Sequence, residues 1–213
     1  MAIWCYKPSA IKGELLKMNK YKIIAICGKS AAGKDTFLQY MTNLKGTHEI
    51  ISCTTRPKRE GEADGVNYHF RSPGEFLRLT LEGQMLETSD FRDWHYGTPI
   101  WSLDKNAINI GVFNPEGIKK LMKDSRVDLY VIQVIASDKM RLLRSLKREE
   151  NPDVDEIVRR YMTDKKDFED FSSFYKPDFI VGNEGQGIDP IRAQALSERI
   201  LDEARRLWAK ETN

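Results

Sequence analysis

One stretch constrains this chain more than any other: Tyr21-Lys22-Ile23-Ile24-Ala25-Ile26-Cys27, followed by Gly28-Lys29-Ser30-Ala31-Ala32-Gly33-Lys34-Asp35-Thr36-Phe37. The first seven residues are mostly apolar and end at a glycine, the pattern of a short parallel strand buried on both faces. From Lys34 to Asn43, Phe37, Leu38 and Met41 recur at helical spacing. A glycine-rich turn between a buried strand and a helix aims successive backbone N–H groups at one anion, and the helix dipole adds positive potential. The turn fits G-x-x-x-x-G-K-[ST] at Gly28, Gly33 and Lys34 but carries Asp35 where a hydroxyl is expected to hold magnesium. Magnesium prefers oxygen ligands and keeps several waters, so the Asp35 carboxylate and the adjacent Thr36 hydroxyl are candidate substitutes. Residues 28–36 are therefore expected to cradle a nucleoside triphosphate, with Lys34 supplying a full charge to its β and γ phosphates.

The remaining pattern alternates. Strands are expected at Glu49–Cys53, Ala107–Phe113, Leu129–Ala136 and Asp178–Val181, and helices at Pro115–Lys123, Asp138–Glu149 and Ile188–Lys210. Strands alternating with helices predict an α/β fold with a mostly parallel sheet covered on both faces, built from residues 21–51, 104–137 and 171–213. Two segments interrupt it. Residues 52–103 are rich in turn residues, with a short strand at Asn67–Phe70 and a helix near Pro73–Glu82, and predict a small mixed insertion. Residues 138–170 are arginine-rich and broken at Asn151-Pro152-Asp153, where Pro152 is expected to start a second helix capped by Asn151 or a neighbour. Arg141, Arg144 and Arg148 recur at i, i+3 and i+7 opposite Leu142, Leu143 and Leu146, as in an amphipathic helix with a cationic stripe. With those arginines facing inward, the segment would form a mobile cover.

Composition narrows the partners. With 34 Lys and Arg against 32 Asp and Glu in 213 residues, the net charge of +2 argues against nucleic acid or other long polyanions. No apolar run approaches the roughly 20 residues a membrane helix needs. Cys5, Cys27 and Cys53 form no C-x-x-C pair, which fits a reducing cytoplasm, and Cys27 lies in a core strand. Residues 1–20 are expected to be an appendage. Lys12-Gly13-Glu14 reads like a translated ribosome-binding sequence, which makes Met18 a candidate start.

A second anion site is legible downstream. Residues 52–70 read SCTTRPKREGEADGVNYHF, Gly83-Gln84-Met85-Leu86-Glu87 follows, and then Tyr96-Gly97-Thr98. Arg56 and Arg59, with the Tyr68 and Tyr96 phenols, suit a phosphate monoester, although loop arginines can also be merely solvated. In order and spacing these motifs resemble the monophosphate-binding segment of guanylate kinases, and the resemblance covers nearly all of residues 21–205. It implies a P-loop kinase with a parallel sheet core flanked by helices, a small mixed monophosphate-binding insertion and a helical lid. It implies ATP and Mg2+ as cofactors, GMP or dGMP as acceptor, and a monomer or homodimer. Arg56 and Arg59 are implied to hold the acceptor phosphate, while Ser52 and Thr98 hydroxyls and the Glu87 carboxylate read guanine. Arg144, Arg148 and Arg160 align with lid arginines that contact the donor and transferring phosphates, and Asn183 falls near the donor adenine. One departure stands out. The family's Asp-x-Asp before a glycine-containing helix is here Val112-Phe113-Asn114, so Asn114 replaces an acid expected at the base, and Asp35 is a candidate replacement for the acid lost at Val112. Another acceptor base, a sugar-phosphate kinase and a non-catalytic binding domain remain as alternatives.

Overall fold

The computed structural model describes residues 20–91, 93–148, 150–185 and 187–211. The expected appendage, with its candidate start at Met18, lies outside the described residues except for Lys20. The chain runs β1 (Tyr21–Cys27), α1 (Lys34–Thr42), β2 (Thr47–Glu49), β3 (Cys53–Thr54), β4 (His69–Phe70), α2 (Pro73–Leu81), β5 (Met85–Phe91) and β6 (Trp94–Pro99). It continues through β7 (Ile108–Val112), α3 (Pro115–Leu121), β8 (Val127–Ile135), α4 (Asp138–Lys147), α5 (Val154–Asp167), α6 (Phe171–Phe174), β9 (Phe179–Gly182) and α7 (Pro190–Glu211).

The core is a five-stranded parallel sheet in the order β2-β7-β1-β8-β9. Its central strand explains the unbroken apolar run, because Ile23 through Cys27 are all 0% exposed. Period-two alternation sends Ile24 and Ile26 to one face, against Phe37 and Met41 of α1 and Ile200 and Trp208 of α7. Ile23, Ala25 and Cys27 face the other side, against Ile118 and Leu121 of α3 and Phe171 of α6. Burial pushes the Cys27 thiol up to about 12, against the Lys34 charge, so it packs as a neutral core residue. The glycine loop leaves the carboxyl end of β1, the edge at which open parallel sheets bind ligands.

A four-stranded sheet, β4-β3-β6-β5, stands beside the core. Phe76 and Leu79 of α2 pack on it against Cys53 and Met85. Helix α2 begins where the sequence says it must: Ser72 and Glu75 form a reciprocal capping box around Pro73.

Two expectations need correction. The strand expected at Glu49–Cys53 is divided. Thr47–Glu49 pairs with β7 in the core, the Ile50 N–H still donates to the Ile110 carbonyl at 2.8 Å, and the chain then crosses to the second sheet as Cys53–Thr54. Pro152 does not start the second lid helix. Asp153 is the N-cap, its carboxylate accepting the Glu156 N–H at 3.0 Å, and the helix begins at Val154.

Candidate active site

The phosphate loop is held open by two close approaches. A Cβ on Gly28, at φ 148°, would lie 2.3 Å from the Val134 carbonyl oxygen, and one on Gly33, at φ 99°, would lie 2.2 Å from the Asn183 amide nitrogen. Neither position admits another residue. Ala31 sits at φ 58°, a left-handed conformation that costs a residue with a Cβ roughly 1–2 kcal/mol. Lys34 begins α1, and its ammonium donates to the Lys29 carbonyl at 3.1 Å. Burial lowers the Lys34 pKa, while Asp35 and then Asp164 oppose that shift. Asp35 and Thr36 are exposed on the first turn of α1.

In the insertion, Arg56 is only 5% exposed. Its guanidinium donates to Glu62 at 2.7 Å and to the Pro57 carbonyl at 2.8 Å, and packs over the rings of Tyr68 and Phe70 at 5.4 and 5.7 Å. The other Glu62 oxygen accepts the Arg59 N–H at 2.8 Å, so Glu62 shapes the turn that presents both arginines. The Arg59 side chain is exposed. Tyr68 meets Tyr96 edge-on at 5.9 Å. Burial raises the Tyr68 phenol, with Tyr96 and then Asp35 adding to the effect.

Deeper in the insertion, antiparallel pairing of β5 with β6 sets Glu87 opposite Thr98. The Thr98 hydroxyl donates to Glu87 Oε1 at 2.9 Å, whereas Oε2 is buried with no hydrogen-bond partner. Burial pushes the Glu87 carboxyl up to about 7, against the Thr98 hydrogen bond and the Lys120 charge. Gly117 keeps this space clear: a Cβ there would lie 3.1 Å from Glu87 Oε2. Asn114 caps α3, its Oδ1 accepting the Gly117 N–H at 2.8 Å, which leaves chiefly its amide N–H2 for a ligand. Ser52 is half-buried just before β3, its carbonyl accepting the His69 N–H at 2.8 Å.

The lid places its arginines unequally. Arg144 donates to the Ala31 carbonyl at 3.2 Å and to the Asn183 carbonyl at 2.8 Å, directly over the loop. Arg148 is exposed at the C-cap of α4, and Arg160 donates to Glu156 at 2.6 Å. Asn183 is buried beneath the loop, where its amide donates to the Ala32 carbonyl at 2.7 Å. Beside it lies a cavity of about 320 Å³ lined by Gly182, Asn183, Glu184, Gly187, Asp189 and Arg192. The histidines serve the scaffold: His48 bonds the Ser102 carbonyl at 2.9 Å, His95 meets Asp90 at 2.6 Å, and His69 packs edge-on against Trp101.

The glycine loop, the arginines of the insertion, the buried Glu87 carboxylate and the arginines of the lid are candidate anion- and base-binding groups, and known proteins carry the comparison further. The model of the guanylate kinase family matches residues 20–197. The chain belongs to the guanylate kinase family. A guanylate kinase of Malacoplasma penetrans is 33% identical over 198 residues, covering 87% of this chain and 97% of that protein. One from Caldanaerobacter subterraneus subsp. tengcongensis is 27% identical over 196 residues, covering 88% and 93%. The crystal structure of guanylate kinase from Anaplasma phagocytophilum superimposes with a TM-score of 0.54 at 22% identity, covering 88% of this chain and 86% of that one, which shows the shared P-loop kinase fold.

Within this guanylate kinase architecture, the sequence reading passed over Asp164 and left Arg141 as one member of a stripe. Both are buried at the base of the lid. Helical periodicity signalled a face but not its direction: Leu143 and Leu146 are 38% and 41% exposed, while Arg141 turns inward at 3%. Asp164 carried no local signal at all.

Proposed function

We propose that this chain transfers the γ-phosphoryl group of ATP to GMP or dGMP, giving the diphosphate. The observation that carries the reading is the buried, unpartnered Glu87 Oε2 beside a Thr98 hydroxyl. Guanine offers adjacent N1–H and N2–H donors, which a carboxylate accepts as a pair. Arg56 and Arg59, with Tyr68 and Tyr96, hold the acceptor phosphate, and Ser52 and the Asn114 amide complete the base pocket. Residues 28–36 with Lys34 and Arg144 hold the donor phosphates, and the cavity beside Asn183 takes the adenine. Arg148 and Arg160 swing in as the lid closes. The acceptor phosphate is already ionised near neutral pH, so positioning and positive charge suffice without a general base. Lid closure keeps water from taking the phosphoryl group.

The loop also fits Mg2+. Among the described residues no hydrogen bond or ion pair engages the exposed Asp35 carboxylate, and no cluster of three or more His, Cys, Asp or Glu side chains could hold a metal alone. An ion held by one or two protein oxygens plus phosphates and waters needs no more than Asp35 and Thr36. Asp35 and Thr36 would hold the ion, which would supply positive charge to offset the negative charge of the donor phosphates. Asp35→Ala, which removes the oxygen ligand altogether, is accordingly expected to nearly abolish Mg2+-dependent turnover, and an unchanged rate in a coupled assay excludes this role for Asp35. Among the described residues no helix is long and apolar enough to cross a membrane, and action in the cytoplasm as a monomer or homodimer accords with this small-molecule chemistry. The deciding experiment is a panel of ribo- and deoxyribonucleoside monophosphates with ATP, with and without Mg2+. Activity on GMP or dGMP alone is expected, and activity confined to a pyrimidine refutes the reading.

A further inference from the structure

The lid is fastened to the phosphate loop by charges that the transfer itself does not use. Asp164, on α5 and 9% exposed, accepts the Ser30 backbone N–H at 2.8 Å and the Ser30 hydroxyl at 3.1 Å. Arg141, on α4, donates to the same carboxylate, to Asp138 at 2.8 Å, and through Nε to the Ser30 carbonyl at 2.9 Å. One loop residue is thus gripped at its N–H, its hydroxyl and its carbonyl by both lid helices.

Burying an ion pair is a poor way merely to join two helices, because apolar residues of similar volume do so equally well or better. Charges differ in fixing direction. The grip falls one residue before Ala31, whose left-handed backbone is the strained point of the loop. Arg144 lies one position short of a full turn beyond Arg141 and reaches the Ala31 carbonyl from the same helix. We propose that Asp164 and Arg141 are positioning residues for the phosphoryl donor: they hold Ser30 and Ala31 in the anion-binding conformation and set Arg144 in register over the loop. The inference rests on the reading of residues 28–36 as the ATP site. The Asp164 carboxylate additionally helps Lys34 keep its proton.

Asp164→Asn and the double variant Asp164→Ala/Arg141→Leu, in the full chain, test this. Binding of a non-hydrolysable ATP analogue and of GMP is measured separately by calorimetry, alongside kcat, both KM values and the melting temperature. For Asp164→Asn, ATP-analogue affinity and kcat are each expected to fall about tenfold, with GMP affinity changing less than about twofold. The double variant removes the unpaired charge and is expected to regain the wild-type melting temperature without regaining ATP affinity. Recovery of both shows the pair to be structural and overturns the proposal. Tighter ATP binding by Asp164→Asn also overturns it, since Asp164 would then be competing with the phosphates for Ser30. ATP binding is read without any acceptor, so an error in the acceptor base leaves this split intact, and the two failures are distinguishable.

Discussion

Replacing Lys34 with methionine is expected to lower kcat by about a thousandfold or more while leaving GMP affinity within about threefold. Methionine keeps the unbranched apolar stem and removes only the ammonium. On the proposed reading that charge would meet the negative charge accumulating on the transferring group, where a closed lid would exclude water and strengthen its electrostatics. Arg141 is no substitute for that ammonium, because it is committed to Asp164 and Ser30. Burial depresses the Lys34 pKa from its ordinary 10.5, so a protonated Lys34 opposes folding at neutral pH, and its removal should leave the melting temperature unchanged or higher. Single-turnover rates with saturating ATP and GMP, set beside melting curves, check both halves. A loss below about tenfold would mean that the ammonium does not contact the transferring phosphoryl group.

The phosphate loop was legible because its information is local. A both-face-buried strand, two glycines with steric reasons to be glycine, and a helix all fall within residues 21–42. The insertion was less so. Strands β3 and β4 are two residues long, too short for any period, and their pairing is set by partners more than ten residues away. The apolar Ile50-Ile51 extends the apparent strand past Glu49 because Ile50 is still core, 6% exposed and bonded to the Ile110 carbonyl, although the regular pairing with β7 ends at Glu49. In the lid the periodicity was real, but a cover over a phosphate cleft turns its polar face inward, so the usual inference from apolar to buried points the wrong way for Leu143 and Leu146. Asp164 shows the limit most clearly. It is one acid in a charged helix, and only contact with Ser30, 134 residues earlier, distinguishes it. Glu87 and Thr98 lie between these extremes: hairpin register makes them neighbours, but the orphaned Oε2 depends on α3 arriving from outside the insertion with a glycine at Gly117.

That orphaned oxygen sets opposite demands on folding and function, and Glu87→Gln should separate them. In the folded chain burial lifts the carboxyl from 4.5 to about 7, so the folded state holds a proton that the unfolded state has released. Stability is therefore expected to fall as pH rises from about 4.5 through about 7, and above that the full cost of the buried charge, about 3 kcal/mol at most, persists. A glutamine keeps an oxygen for the Thr98 hydroxyl and carries no charge, so Glu87→Gln should melt several degrees above wild type at pH 8, with the difference vanishing near pH 5. Guanine needs the opposite state. Its paired N–H donors require the ionised carboxylate, so wild-type GMP affinity should rise about tenfold per pH unit below 7 and level off above it. Lys120 and Glu116 flank the site and partly offset each other, so neither reverses the sign. The Glu87→Gln variant, which sets amide hydrogens against those of guanine, should lose about a thousandfold in kcat/KM for GMP and show no pH step in GMP affinity. Calorimetric titrations of GMP between pH 5.5 and 8.5, with melting curves over the same range, read both effects. A flat wild-type affinity profile, or a variant that melts lower at pH 8, would remove Glu87 from the base pocket.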